Sequence, residues 1–155
     1  MLKYKPPKTL RALFIAHYAP TLLIIMIGPM TGLFGVWKIP TNLMFSIFLG
    51  ITIFLLGTVV YFKWEIHWTK TYKGQLVTDG IFKHIRHPHY TSVLIVNFGL
   101  AFFFYSTAAL LISALSITLM IWSIIDEEKL LKKQYGEKYI EFMKKTPYRI
   151  IPKIF

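Results

Sequence analysis

The side chains able to do chemistry are crowded into Gly80-Ile81-Phe82-Lys83-His84-Ile85-Arg86-His87-Pro88-His89-Tyr90, where three histidines, an arginine and a tyrosine fall within seven residues. Pro88 disfavours helical geometry at His87, so His84–His87 is expected to form a bent polar loop end that feeds the apolar run from Thr91. A second polar concentration follows at Asp126-Glu127-Glu128-Lys129-Leu130-Leu131-Lys132-Lys133-Gln134-Tyr135-Gly136. Arg86 and the His87 ring suit a carboxylate, while Glu127 or Glu128 can accept hydrogen bonds from an ammonium or from ribose hydroxyls. Together they suit a zwitterionic, amino-acid-like ligand. The plainer alternatives are that Glu127 and Glu128 pair with Lys132 or Lys133 on the helix surface, that Arg86 anchors at anionic lipid, and that Tyr90 is an interfacial ring. His84, His87 and His89 also have a spacing that metals use. The chain has no cysteine and the loop no carboxylate, so we assign no metal there.

These two polar segments need elements that bring them together, and the composition says what kind. Of 155 residues, 55% are hydrophobic and 17% aromatic, with a mean hydropathy of +0.52. That is more apolar than a water-soluble domain of this size requires, so we expect one integral membrane domain over residues 1–155. The net charge of +11 then points to loops facing anionic membrane lipid and not to a nucleic acid partner. Met1–Arg11 is a basic arm around Pro6-Pro7. Leu13–Val36 is long enough to cross a hydrocarbon core of about 30 Å, with a kink expected from Pro20 and Gly28-Pro29. A secretory signal peptide competes for this stretch, but no small-residue cleavage site follows it. Leu43–Tyr61 is a second span, ending in Trp64-Glu65-Ile66-His67-Trp68, whose tryptophans fit an aromatic belt. Tyr90–Tyr105 and Ala108–Ile125 make two more apolar helices, the first short for a full crossing. From Asp126, leucines and Tyr135 at intervals of three and four among charges predict an amphipathic helix leaving the bilayer. The expected fold is all-α: a bundle of about four transmembrane helices plus a cytoplasmic amphipathic carboxy-terminal helix, with residues 1–68 giving two spans and residues 69–155 the ligand-binding part.

The positions of the basic residues supply a topology. With four spans, 17 of the 18 Lys and Arg fall on one side and only Lys38 lies opposite. The positive-inside rule makes that side cytoplasmic, with both termini on it, and puts Lys70–Tyr90 and Asp126–Phe155 on the same face. The two polar segments can therefore share one site.

Gly80-Ile81-Phe82, Arg86-His87-Pro88-His89-Tyr90, then Glu127-Glu128 with Leu131, Tyr135-Gly136 and Tyr139, and finally Arg149–Pro152, resemble the isoprenylcysteine carboxyl methyltransferase superfamily, which is itself similar to the phospholipid methyltransferases. The likeness runs from about Thr69 to the carboxy terminus. It implies S-adenosylmethionine bound at the cytoplasmic face between the loop before the third helix and the polar extension of the last, and a lipid-like acceptor entering between helices from the bilayer. Carried over by position, Gln75, Leu76, Val77 and Phe82 line the cofactor pocket, with Phe82 standing where the family commonly has tyrosine. His87, Pro88, His89 and Tyr90 hold the methionine end, Glu127 is the acidic contact with Glu128 beside it, and His67 is a weaker candidate. Members that methylate a prenylcysteine carboxylate usually carry arginine four residues before the first glutamate. This chain has Ser123 there, leaving Ser123 and Arg149 as the acceptor-side candidates.

The likeness implies a sulfonium donor, and transfer of its methyl group to a nucleophile in line with the S–CH3 bond disperses positive charge. A water-poor pocket speeds such a step by positioning and desolvation. An anionic carboxylate or thiolate needs no base, whereas an amine must arrive neutral or lose a proton, with His87 or Glu128 as possible partners. No residue is assigned as a catalytic acid or base. The glycine-rich strand-to-helix loop of soluble methyltransferases is absent. Two other functions remain open at this level: an NADPH-dependent oxidoreductase of the sterol-reductase type, which the tail Tyr148-Arg149-Ile150-Ile151-Pro152 also resembles, and a non-catalytic membrane scaffold. The oligomeric state is not legible.

Overall fold

A computed structural model describes residues 10–154, so most of the basic arm expected at Met1–Arg11 lies outside the described residues, as does Phe155. Five α-helices follow one another: α1 Leu10–Leu33, α2 Leu43–Thr71, α3 Pro88–Phe103, α4 Thr107–Tyr135 and α5 Glu137–Lys145, with a 3-10 turn at Gly80–Lys83. No strand occurs among the described residues, only an isolated bridge between Lys38 and Ser106 that ties the α1–α2 loop to the α3–α4 turn. The all-α bundle expected from the sequence is the fold observed.

The helix limits follow local chemistry. Asn42 caps α2 by accepting from Phe45 N at 3.2 Å, and Ser106 caps α4 by accepting from Ala109 N at 3.1 Å. Pro88 starts α3 at the position where a missing N–H costs nothing. Gly136, at φ 55°, ends α4 and begins α5, the break its composition predicts. The second span differs from expectation: α2 does not stop near Tyr61 but runs to Thr71. Nothing between Lys63 and Thr71 breaks a helix, so the 29 residues, about 44 Å long, project some two turns past a bilayer core. α4 has the same length and likewise carries Asp126–Tyr135 beyond its apolar part. By length and composition α2 and α4 can each cross a membrane, and α3 is a shorter apolar helix.

Packing is inverted relative to a water-soluble bundle. Phe48, Leu55 and Phe62 of α2 and Leu115 and Trp122 of α4 are exposed, whereas Ser46, Asn97, Ser113 and Ser116 are buried. The buried polar groups bond across helices: Thr21 Oγ1 to Asn97 Oδ1 at 2.7 Å, Ser113 Oγ to Asn97 O at 3.0 Å, and Ser46 Oγ to Phe102 O at 2.8 Å. Small residues on the inside and apolar ones outside are what a bundle in lipid needs, because tails compete with Leu and Phe for apolar contact. α2 and α3 touch backbone to backbone. A Cβ at Gly99 would lie 2.5 Å from Phe54 N, and one at Gly57 would lie 2.8 Å from Val96 N. α3 is the hub, packing on α1, α2 and α4.

Candidate functional site

The site is built around one buried carboxylate. Glu128, on the extension of α4 past its apolar part, is 3% exposed. Arg86 donates to its Oε1 from Nε at 3.0 Å and from Nη2 at 2.7 Å, and Nη1 donates to Thr146 O at 2.6 Å. Arg149 reaches the same carboxylate from the tail, with Nη2 donating to Oε2 at 3.0 Å and Nε lying 3.2 Å from both oxygens. Burial opposes the charge of Glu128, but its bonds to His87, Arg149 and Arg86 outweigh that and hold its carboxyl far below the usual range. The tail is also fastened by backbone. Arg86 N donates to Tyr148 O and His87 N to Arg149 O, each at 2.9 Å, and Thr91 Oγ1 donates to Ile150 O at 2.8 Å.

His87 joins the two glutamates. Its Nε2 lies 3.4 Å from Glu128 Oε1 and its Nδ1 lies 3.4 Å from Glu127 Oε2. Burial works against a charged ring, yet the two carboxylates more than offset it and raise the His87 pKa. Burial alone would raise the pKa of Glu127, but His87 and Tyr90 bring it down. Tyr139 of α5, 1% exposed, has its phenol pushed up by burial and by the Glu128 charge.

Beside this knot opens a cavity of about 200 Å³. Gln75, Leu76, Val77, Phe82, His87, Pro88, His89, Tyr90 and Glu127 all stand on its wall. Glu128 does not: it is the centre of the ion knot behind the wall. Arg149 is spent on Glu128, and Ser123 lies on α4 away from the cavity lining. His67 points to Asp79 Oδ1 at 3.1 Å, and its ring fills the space over Gly80, where a Cβ would lie 2.6 Å from Cε1. Of the three loop histidines, His87 and His89 face the cavity and His84 is exposed.

Arg86 and the resemblance's Leu131, Tyr135 and Tyr139 also stand on the wall, beside residues assigned no site role from the sequence: His17, Trp64, Trp68, Tyr72 and Phe142. Trp64 and Trp68 are half-buried and line the cavity, and Trp68 stacks on Tyr72 at 4.3 Å and 12°. A local signal existed for Trp64 and Trp68 on α2 and for Leu131 and Tyr135 on α4, each pair four residues apart and so on one helical face. His17 offered only a lone imidazole in an apolar run. Its ring lies tilted against those of Tyr90 and His89, with centroids 4.0 Å and 5.1 Å away.

The arrangement can hold a cation against rings and one carboxylate, Glu127. It can hold an anion at the amino terminus of α3, where Pro88 lacks an N–H and the amides of His89 and Tyr90 head the helix beside the cavity.

A family model described as phospholipid methyltransferase matches residues 23–138. Protein-S-isoprenylcysteine O-methyltransferase B of Arabidopsis thaliana is 27% identical over 158 residues, an alignment that covers 90% of this chain and 76% of that protein.

Proposed function

The chain belongs to the phospholipid methyltransferase family and is a methyltransferase, and from that premise we propose that it holds S-adenosylmethionine in the cavity beside Glu127 and delivers its methyl group to a lipophilic acceptor at the cytoplasmic membrane face. The donor set fits this cofactor. Glu127 would take the ammonium, the first turn of α3 the carboxylate, and the rings of Trp64, Trp68, Tyr90 and Tyr135 the adenine and the sulfonium. The cofactor supplies an electrophilic methyl group; the protein's share is to orient it, to shed water and to meet the departing charge with fixed dipoles. The observation that carries this assignment is the meeting of the Pro88 bend and Glu127 on one aromatic wall, with each imidazole nitrogen of His87 directed at one glutamate.

Four helices α1–α4 would span the bilayer with both termini cytoplasmic, since that topology leaves only Lys38 on the far side. The acceptor is a prenyl- or lipid-like molecule presenting a carboxylate, thiol or amine. The likeness to the plant isoprenylcysteine enzyme supports the lipophilic part, and Arg149, bound to Glu128, is not poised to orient a carboxylate.

The test is calorimetric binding of S-adenosylhomocysteine in lipid nanodiscs. A lost charge-assisted hydrogen bond is worth about 1.5–3 kcal/mol, so Glu127→Gln should weaken binding by roughly 10- to 150-fold. Unchanged affinity in that variant, or no binding to the parent chain, sinks the assignment. A labelled-methyl screen over lipid amines, prenyl thiols and prenylcysteine then identifies the acceptor.

A further inference from the structure

α2 carries a second opening, on its outer face where the helix runs out of its apolar part. A groove of about 490 Å³ is lined by Val59, Phe62, Lys63, Ile66, His67 and Lys70, and it shares no residue with the cofactor cavity. These residues recur every three or four positions, so they form one stripe along about 16 Å of helix. Trp64 and Trp68 turn away from that stripe toward the cavity.

The stripe changes character along its length. Val59, Phe62 and Ile66 are at least half exposed, and Lys63 and Lys70 are exposed beside and beyond them. Among the described residues no carboxylate pairs with either lysine. Glu65, the one acid on α2, lies about 200° around the helix from Lys63. Between the lysines the His67 ring is held in place, with Nε2 3.1 Å from Asp79 Oδ1 and its edge packed over Gly80. Two unpaired cations, on backbone positions about 10 Å apart along the axis, thus flank a fixed imidazole at the upper end of a strip of exposed carbon. Their aliphatic stems can lie along that strip while the ammonium groups stay in the polar layer.

We propose that this groove is a binding site for one anionic phospholipid, its phosphate held between Lys63 and Lys70 beside His67 and an acyl chain lying on Phe62 and Val59. The site goes beyond the methyl-transfer reading and needs only that α2 crosses the bilayer. Charge selects the occupant. Two unpaired lysines at the level where the apolar helix ends match a headgroup of net negative charge, whereas a zwitterionic headgroup brings a cation that they repel. The exposed carbon below selects a membrane lipid over a free phosphate ion. Once bound, the lipid ties to the membrane surface the projecting end of α2, which carries Trp64 and Trp68 of the cavity wall.

The test titrates delipidated protein in detergent with dioleoyl phosphatidylglycerol or dioleoyl phosphatidylcholine and counts bound copies by native mass spectrometry. The parent chain should retain one phosphatidylglycerol that phosphatidylcholine does not displace. Each lysine at a membrane surface is worth about fivefold in anionic-lipid affinity, so Lys63→Gln/Lys70→Gln should weaken that binding about thirtyfold. Lys132→Gln/Lys133→Gln makes the same charge change on the exposed surface of α4 and should leave it within about twofold, because salt screens charges outside the groove. Equal losses in the two pairs overturn the site, since the attraction would then be to net charge alone. Phosphatidylcholine bound as tightly, or lipid displaced by inorganic phosphate, overturns the choice of occupant. S-adenosylhomocysteine affinity should be unchanged in both variants. A parent chain that binds no nucleoside refutes the cofactor site and leaves the lipid measurement decisive for the groove. Should the double variant aggregate, Lys70→Gln alone must still cost about fivefold.

Discussion

Glu128→Gln separates structure from function at this site more sharply than any other single change. The carboxylate is buried and accepts from Arg86 and Arg149 together. Removing its charge leaves the Arg86 guanidinium, whose side chain is 3% exposed, with only neutral acceptors, Thr146 O and the one remaining amide oxygen, and the new amide N–H2 faces donors. Breaking a buried pair from one side costs about 3–5 kcal/mol. Arg149, with its side chain 31% exposed, contributes little to that figure, on the order of 0–1 kcal/mol, because solvent screens it. For a chain of 155 residues the loss corresponds to a fall in melting temperature of roughly 6–20 °C, using 2–4 °C per kcal/mol. Thermal unfolding in a mild detergent, followed by tryptophan emission, measures it. The sign with pH is also fixed. The Glu128 pKa is depressed on folding, so its contribution is fully present above the unfolded carboxylate value near 4.5 and is lost progressively as pH falls from there through the depressed value. The wild-type melting temperature should therefore decline as pH drops below about 4.5, and its gap to Glu128→Gln should narrow steadily over that interval. A variant melting within about 2 °C of wild type at neutral pH would refute the claim that this carboxylate organises the loop, the helix extension and the tail.

Two other outcomes follow from the same geometry. His87 has its pKa raised by Glu127 and Glu128, so its stabilising charge is fully present below the unfolded value near 6.5 and is lost as pH rises through the higher folded value. Wild-type melting temperature should decline across that interval and His87→Gln should be flat there; parallel curves would show that the ring is not held between two carboxylates. Gly80→Ala should cost about 1–2 kcal/mol for its φ of 58° and more for the His67 ring, 2.6 Å from the new Cβ. Adding His67→Ala should recover the second part only, and full recovery would mean that the backbone conformation is not constrained.

Much of this was legible in the residues. Pro88 after His87 fixed a bend at a helix start, apolar runs of the right length gave the helices, and the asymmetry of lysine and arginine put the two polar segments on one side. The far end of α2 was not legible, because Tyr61 marks where apolar composition stops and not where helix geometry does; nothing from Lys63 to Thr71 opposes the helix. That overrun is what brings Trp64 and Trp68 against the cavity, so missing it left two wall residues without a site role. His17 was invisible for a different reason. Its partners His89 and Tyr90 lie more than seventy residues away, and no local pattern records a ring contact of that separation.

The neighbouring glutamates show where sequence reasoning must stop and why. Adjacent residues on a helix point about 100° apart, so Glu127 and Glu128 cannot share one environment. The sequence states that they differ but not which one faces inward. The choice is made by buried Arg86 together with Arg149, a residue from a tail that carries no helical periodicity, which lies against the underside of α4 because Tyr148 and Arg149 offer their carbonyls to the amides of Arg86 and His87. With two guanidiniums on one flank, Glu128 becomes the fixed charge of the scaffold, and the rotation of α4 that satisfies it turns Glu127 onto the cavity wall. His87, reaching both, transmits that rotation to the bend before α3. A substitution at Arg149 is thus expected to alter nucleoside affinity although the residue never touches the cavity. A residue that held the acceptor directly would instead change the acceptor's KM and leave nucleoside binding alone, so measuring both quantities on Arg149→Met distinguishes the two roles.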